Sequence, residues 1–167
     1  MHAGIMVTMS LLVGPGEGRH LGGPFDITVR VSSEQTGGVM AVLEETIAPG
    51  VLITPHTHQN DVWIYVLSGE IGVLVGEETT TAAVGAWALK PRNMLHTMWN
   101  AGTEPARIME MLTPGGTERW FEEVTALDPA DTDAFRASCD RYGIRFFPDS
   151  PWEKKLRERY GLPHRGQ

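Results

Sequence analysis

The sequence predicts an all-β fold, a sandwich or barrel with the jelly roll among the possible classes, followed by a short helical extension at the C-terminus. Residues 25–107 consist of short apolar runs separated by turn-forming residues, and no helical repeat of useful length interrupts them. Eight or so short strands at close turn spacing are typical of sandwiches and barrels, although spacing alone does not distinguish the two. The last third of the chain carries helix signals instead.

The strands are predicted where apolar, β-favouring residues lie between turn residues. Residues 14–24 are rich in glycine and proline, so they are predicted to form a loop. The chain has a single His-x-His pair, and a duplicated two-barrel protein is therefore not expected. The expected strands are Ile27–Val31, Val39–Ile47, Val51–Pro55, Val62–Leu67, Ile71–Val75, Ala86–Lys90, His96–Trp99 and Ala106–Leu112.

Two helices are predicted in the C-terminal third from the residues that mark their ends. Neither helix is long enough to be stable alone, so each is expected to pack its apolar face on the barrel or on a second subunit. The end signals are Asp131 or Thr132 and Gly143 for a helix over Asp133–Tyr142, and Ser150 with Glu153, Pro151 and Gly161 for the second helix.

The chain length of 167 residues is that of one domain large enough to bury a core. Hydrophobic residues make up 41% and charged residues 21% of the chain, as is typical of globular proteins. We divide the chain into an N-terminal arm and loop over residues 1–24, a barrel over 25–125 and a helical extension over 126–167.

Charge and hydropathy exclude several classes of partner. The net charge is −7 and no lysine or arginine cluster is present, which argues against nucleic acid. No apolar run approaches the ~20 residues that span a bilayer, so no membrane partner is expected. The apolar segment 1–13 lacks a positive region and is interpreted as a strand or arm, not a signal peptide. The single cysteine, Cys139, fits a reducing compartment, and we expect a cytoplasmic protein.

The most informative residues are His56, His58 and His96. The first two are separated by one residue, and His96 follows His58 by thirty-eight positions. A strand sends residues i and i+2 to one face, which places the pair on the same side about 6.5–7 Å apart. A third imidazole from a neighbouring strand then closes a three-nitrogen site of the kind that binds a divalent transition metal. Taken alone, a His-x-His pair is more often a surface or structural pair.

The residues around these histidines resemble the two motifs of the cupin family. The resemblance extends from Gly37 to Val124, and the fifteen residues between the motifs suit the family's usual gap. It is specific because two motifs agree in order and separation. It implies a jelly-roll barrel in which the three histidines hold a metal. The matching residues are Gly50, His56, His58 and Gly69 in the first motif and Gly85, Pro91, His96 and Asn100 in the second.

Two positions depart from the family pattern. Val62 stands where the family usually has a metal-binding glutamate, which removes an anionic ligand. Asn93 replaces a glycine, and asparagine is the next most tolerant residue of positive φ. Asp61 and Glu110 are the nearest candidates for a substitute carboxylate, although Asp61 has the wrong strand parity unless a bulge re-aims it.

Strand parity predicts an apolar pocket around the histidines. If Val62 faces inward, Ile64 does so as well, while Met94 and Met98 share the parity of His96. Thioethers and branched aliphatic side chains suit a hydrophobic or aromatic small molecule. The predicted substrate pocket therefore contains Val62, Ile64, Met94 and Met98.

The resemblance implies a metal-dependent enzyme, foremost a quercetinase-like dioxygenase acting on a small apolar, aromatic or enolic molecule. Fe(II) is the favoured metal, with Zn, Ni, Mn and Cu as alternatives, because neutral imidazole suits all of them. Two other functions stay open, namely a non-oxidative isomerase, cyclase or lyase and a non-catalytic small-molecule-binding protein. The sequence assigns no catalytic residue beyond the metal ligands.

The remaining histidines and tryptophans have simpler interpretations. The histidines in tails or loops are expected to be exposed, and the strand tryptophans to lie in the core or at an interface. Small single-barrel cupins are commonly homodimers, so the resemblance implies a homodimer, to which the N-terminal arm could contribute a strand. The histidines expected to be exposed are His2, His20 and His164, and the strand tryptophans are Trp63, Trp87 and Trp99.

Overall fold

Two antiparallel sheets make up most of the computed structural model, which describes residues 12–163. The predicted arm over residues 1–13 therefore lies almost wholly outside the described residues. The strands are β1 (Arg19–Gly22), β2 (Ile27–Val31), β3 (Ala41–Ile47), β4 (His56–Thr57), β5 (Asp61–Ser68), β6 (Glu70–Val75), β7 (Glu78–Ala83), β8 (Trp87–Lys90), β9 (His96–Trp99), β10 (Ala106–Thr113) and β11 (Arg145–Phe146). The helices are α1 (Glu118–Ala126), α2 (Thr132–Tyr142) and α3 (Pro151–Tyr160).

One sheet has six strands in the order β1-β2-β3-β10-β5-β8, and the other has five in the order β11-β4-β9-β6-β7. The core lies between them, where the inward side chains of both sheets meet, as Ile47, Ile64, Ile71 and Met98 do. The predicted all-β jelly-roll class is confirmed. Over residues 12–163 the two sheets remain separate and do not close into one continuous ladder. The term barrel is used below for this open pair.

Alternation of polar and apolar residues explains which strands could be predicted. β2 and β9 have the predicted bounds, and five other predicted strands differ from the observed ones by one or two residues at one or both ends. The prediction of a loop over residues 14–24 was wrong for Arg19–Gly22, which form β1 and pair with β2. The segment 51–55 was wrongly predicted as a strand. Only Leu52 forms a bridge there, to Trp99, and pairing resumes at His56 after Pro55, which has no N–H to donate.

The two predicted helices are present with the predicted ends. Asp131 Oδ1 accepts a hydrogen bond from the Ala134 N–H at 2.9 Å, and Gly143 follows α2 in the left-handed conformation. Ser150 caps α3, and Gly161 ends it in the same way. Within residues 12–163, no helix combines the length and the apolar character that crossing a bilayer requires.

The C-terminal elements cover one end of the barrel. β11 pairs with β4, which places Phe146 opposite His56. Trp120 of α1 packs with Cys139 and Ile144 in a small cluster, and Phe146 packs against it. α3 packs elsewhere, where Leu156 joins Trp99 in a separate cluster. α1, α2 and β11 thus cover the end of the barrel at which the histidines lie, whereas α3 does not.

Candidate metal centre

The three predicted histidines lie together between β4 and β9. His56 and His96 are direct register partners, and His58 follows β4 by one residue. The ring centroids are 4.3 Å apart for His56 and His96, 4.4 Å for His58 and His96, and 5.7 Å for His56 and His58. One nitrogen from each ring lies within 4.8 Å of the other two. The rings therefore converge on one point.

Backbone carbonyls fix the orientation of all three rings. The Nδ1 atoms of His56, His58 and His96 each lie 2.8 Å from a carbonyl oxygen, those of Thr54, Asn60 and Met94 in that order. A carbonyl can only accept a hydrogen bond, so each Nδ1 must carry the proton. This leaves the Nε2 lone pair of each ring free to bind a metal, and fixed tautomers of this kind are typical of metal-ligating histidines.

The rings are kept neutral by their surroundings. Burial, followed by the positive charge of Lys90, lowers the pKa of His56 to about 3 and that of His58 to about 4. Burial and the neighbouring His56 lower the pKa of His96 further still. Among the described residues, the fully buried Nε2 of His96 has no hydrogen-bond partner. A buried, unsatisfied nitrogen with a free lone pair is costly unless a ligand occupies it, so the residues fit a bound metal ion.

The loop before β9 is held by a residue with positive φ. Asn93 has φ of +60°, the conformation that the family's glycine adopts easily. Its N–H donates to the carbonyl of His58 at 2.8 Å, which ties the second-motif loop to the first. The replacement of glycine by asparagine therefore leaves the fold of the site intact.

Position 62 supplies no carboxylate, and Asp61 does not replace it. Val62 is 1% exposed and lines the cavity beside the histidines. Asp61 turns away and accepts hydrogen bonds from Arg92, which lowers its pKa. Strand parity predicted that Asp61 would not face the histidines, and the structure agrees. Glu110, the other candidate, does line the cavity.

Glu110 belongs to a buried charged cluster that sequence reasoning missed. Its carboxylate accepts a hydrogen bond from Lys90 Nζ, and the two side chains are 4% and 3% exposed. Glu45, which is 2% exposed, lines the same cavity. Alternation along β3 could have revealed Glu45, because it shares the inward parity of Leu43 and Ile47.

The cavity beside the histidines encloses about 80 Å³ and is mostly apolar. Val62 and Met98, two of the four residues proposed for the substrate pocket, line it. Ile64 points inward but lies in the core and not at the cavity. The placement of Met94 in the pocket was wrong, because it lies in the turn before β9, where strand parity does not apply, and is 44% exposed. The cavity is lined by Phe25, Glu45, Ile53, His56, His58, Val62, Lys90, Met98, Glu110, Leu112, Thr117, Trp120, Phe121, Ile144 and Phe146.

Aromatic side chains from α1 and β11 form one wall of this cavity. The Phe146 ring lies 5.4 Å from the His56 ring between centroids. Trp120 and Phe121 of α1 complete the wall. Sequence analysis missed this wall, because α1 and β11 carry no strong local signal and their position depends on tertiary packing.

Comparison with known protein families matches residues 43–112 to the Cupin_2 family, described as a cupin domain. The matched range contains all three histidines and most of the barrel strands. The chain therefore contains a cupin domain, and the resemblance noted from the sequence is confirmed for the cupin superfamily. A comparison with curated proteins gave no match.

Solved structures with similar folds include a variant of Bacillus subtilis oxalate decarboxylase OxdC. It is 22% identical, with a TM-score of 0.50 over 55% of this chain and 26% of that chain. The chain thus spans about a quarter of that enzyme, and the likeness shows the fold. The TT1209 protein from Thermus thermophilus is 31% identical over 46% of this chain and 74% of that chain, with a TM-score of 0.44. A Klebsiella pneumoniae protein with a double-stranded β-helix domain is 23% identical, and the match covers 62% of this chain and 82% of that chain, with a TM-score of 0.48.

Proposed function

We propose that this chain is a metal-dependent enzyme that oxidises a small, largely apolar molecule with dioxygen, and that His56, His58 and His96 hold its metal. One observation carries the proposal. Three neutral imidazoles, each with its Nδ1 proton given to a backbone carbonyl, direct their Nε2 atoms to a common point beside a cavity.

The donor set favours a divalent transition metal over calcium or magnesium, which prefer oxygen ligands. Fe(II) is our first choice, and Zn, Ni, Mn and Cu fit the same three nitrogens. Oxalate decarboxylase, which shares the fold, has been described with Mn(II) centres. A metal bound here would supply Lewis acidity and, if it is iron, one-electron chemistry with dioxygen.

The cavity supports a small substrate with an apolar body. Its volume of about 80 Å³ leaves room for a compact molecule, and its walls include Val62, Met98 and Phe146. The aromatic wall formed by α1 and β11 adds apolar surface next to the histidines, with the Phe146 ring 5.4 Å from the His56 ring between centroids. An enolic or phenolic group at one end of such a molecule would complement the uncompensated positive charge of a metal with three neutral ligands.

Metal content tests the first part of the proposal. Native protein should contain about one transition-metal ion per chain, and His96→Ala should lose it while the barrel stays folded, because the fold depends on apolar strand faces. His20→Ala is the matched control, since His20 is 61% exposed on β1 and is expected to leave metal content unchanged. Native protein without metal, or His96→Ala protein that retains it, would contradict the assignment.

Oxygen uptake tests the second part. Protein reconstituted with Fe(II) under anaerobic conditions is mixed with a panel of enols, phenols and short-chain carbonyl acids in an oxygen electrode. We expect uptake that depends on one class of substrate and disappears in His96→Ala. Absence of uptake across the panel, with metal bound, would reject oxidation by dioxygen.

A second candidate is a non-oxidative enzyme, such as an isomerase, cyclase or lyase, on the same metal site. The buried ionisable side chains of Glu45, Lys90 and Glu110 at the cavity favour it, because such groups can move protons without any oxidant. Turnover that persists in the zinc-loaded protein without air would select this function. Metal-free protein that binds ligand tightly but turns nothing over would select a binding role instead.

A further inference from the structure

Glu45 occupies an unusual position inside the barrel. It lies on β3 opposite Ile108 of β10 and is 2% exposed. It lines the same cavity as His56 and His58. This carboxyl group belongs to neither of the histidine motifs, and it lies on a different sheet from the histidines.

Glu45 is also incompletely satisfied. In the part of the chain that the structure describes, its Oε1 is buried without a hydrogen-bond partner. Glu44, the preceding residue, is paired with Arg30 and Arg107 on the outer face of the sheet. Glu110 on the neighbouring strand is paired with Lys90. Buried polar atoms are nearly always paired, so an unpaired one beside a cavity requires a partner from the cavity, either a water molecule or a ligand.

The surroundings of Glu45 favour its protonated form. Burial, followed by the negative charge of Glu110, raises the pKa of the Glu45 carboxyl well above its usual value. Lys90 opposes this only in part. The other titratable groups at the cavity are His56 and His58, which burial keeps neutral. We therefore expect the Glu45 carboxyl, which lines the cavity, to hold its proton.

We propose that Glu45 is the general acid of this site, giving its carboxyl proton to the basic atom of a substrate bound beside His56 and His58. The proposal rests on the function proposed above. Position 62 is a valine and supplies no carboxyl group, whereas Glu45 supplies one from β3. In this proposal the carboxyl group of Glu45 transfers a proton and does not bind the metal.

The proton transfer is balanced within the cavity. The O–H bond of Glu45 breaks, and a new bond to hydrogen forms on the substrate atom that carried the electron pair. Glu45 is left as a carboxylate close to the Lys90 ammonium group, whose charge stabilises it. The proton returns from product or water before the next cycle, and no electrons leave Glu45.

The first test is the carboxylic acid itself. Infrared spectra of the metal-loaded protein at neutral pH should show a buried carboxylic acid C=O band that shifts in D2O. We expect the band in the wild type and in Glu44→Gln, and its loss in Glu45→Gln. Glu44→Gln is a matched control because it removes a carboxylate from the adjacent, outward position. Absence of the band from the wild type would overturn the proposal.

The second test is turnover. Glu45→Gln keeps the size of the side chain but cannot supply an acidic proton, so kcat should fall by about 100-fold or more with KM and bound metal unchanged. Glu45→Asp should restore part of the rate, whereas Glu44→Gln should match the wild type. A Glu45→Gln variant with wild-type kcat and pH profile would overturn the acid role.

The two tests separate this proposal from the proposed function. Turnover without oxygen that still requires Glu45 would reject the dioxygenase and support the general acid. Wild-type protein that holds no metal would reject the proposed function. In that case the infrared spectrum of the metal-free protein would test Glu45 separately: the C=O band would still support the protonated acid, and its absence would overturn it.

Discussion

Glu44 and Glu45 are neighbours on β3 and lie on opposite faces of the six-stranded sheet. On the outer face, Glu44 is 16% exposed and pairs with Arg107, which is 52% exposed and open to water. On the inner face, Glu45 is buried beside the Lys90–Glu110 pair, whose side chains are 3% and 4% exposed. A step of one residue thus changes a partly exposed carboxylate paired with Arg30 and Arg107 into a buried carboxyl group without a salt bridge among the described residues. Strand parity, more than residue type, decides which charged groups can act on a ligand.

The largest effect should come from breaking the inner ion pair. Lys90→Met leaves Glu110 buried without its partner, and we expect the free energy of unfolding to fall by about 3–5 kcal/mol. Arg107→Met on the outer face removes an exposed partner and should change it by about 1 kcal/mol or less. Urea unfolding of both variants measures the difference. Equal losses in the free energy of unfolding for Lys90→Met and Arg107→Met would show that the inner ion pair contributes no more to stability than the outer one.

Acidification should destabilise the metal-free protein. The pKa values of His56 and His58 are lowered in the folded state, so the unfolded chain binds more protons once the pH falls below about 6.5. The contribution of the two neutral histidines to the free energy of unfolding is therefore complete above about pH 6.5 and is lost as the pH falls toward about 3. Each such histidine contributes about 1.4 kcal/mol per pH unit at most.

Glu45 should act in the opposite sense. Its raised pKa means that the folded state holds a proton that the unfolded chain has lost, so it opposes the loss of stability on acidification. Glu45→Gln should therefore steepen the fall between pH 6.5 and 5 by up to about 1.4 kcal/mol per pH unit. Urea unfolding at several pH values, with Glu44→Gln as control, measures the slopes. Equal slopes for the wild type and Glu45→Gln would mean that Glu45 carries no extra proton.

A carboxylate introduced on the inner face should strengthen the metal site. Val62→Glu places an anionic ligand beside the cavity that the histidines line, so affinity for Mn(II) or Fe(II) should rise about tenfold. Competition with a chelator measures the change. Trp63→Glu is the matched control, since Trp63 is the next residue on β5 and is 42% exposed on the outer face. Unchanged affinity in Val62→Glu would show that position 62 does not face the ion.

The smallest effect on monomer stability should come from the outer aromatic residues. Trp87 is 54% exposed and packs against Tyr65, and we propose that this face forms the contact of a homodimer. Trp87→Ser should change the free energy of unfolding by only about 0.5 kcal/mol but weaken the dimer. Sedimentation velocity at several concentrations measures the fractions of monomer and dimer in the wild type and in Trp87→Ser. A monomeric wild type would contradict the dimer.

The sequence predicted the barrel and its histidines because both depend on local spacing. Alternation placed Val62 and Ile64 inward, and motif spacing brought His96 next to His56. The limits were equally physical. Met94 was misplaced because it precedes the strand whose parity was applied to it. Glu45 and Lys90 were overlooked because charged residues are rarely buried, so alternation alone did not lead us to assign them to the interior.

The C-terminal wall of the cavity could not be predicted in the same way. Phe146 reaches His56 only because β11 pairs with β4, ninety residues away in the chain. α1 lacks a side-chain cap at Thr117, so its start carries no sequence signal of the usual kind. Contacts of this kind arise from tertiary packing, and single-sequence patterns do not record them.

The orientation of the histidine rings has a consequence for how such proteins can diversify. Each ring is aligned by the main chain two positions away, at Thr54, Asn60 and Met94, and not by a neighbouring side chain. Substitutions that reshape the cavity walls can therefore accumulate without loosening the chelating geometry. A scaffold of this type can acquire new substrates by changing its lining alone, which makes it a practical starting point for enzyme redesign.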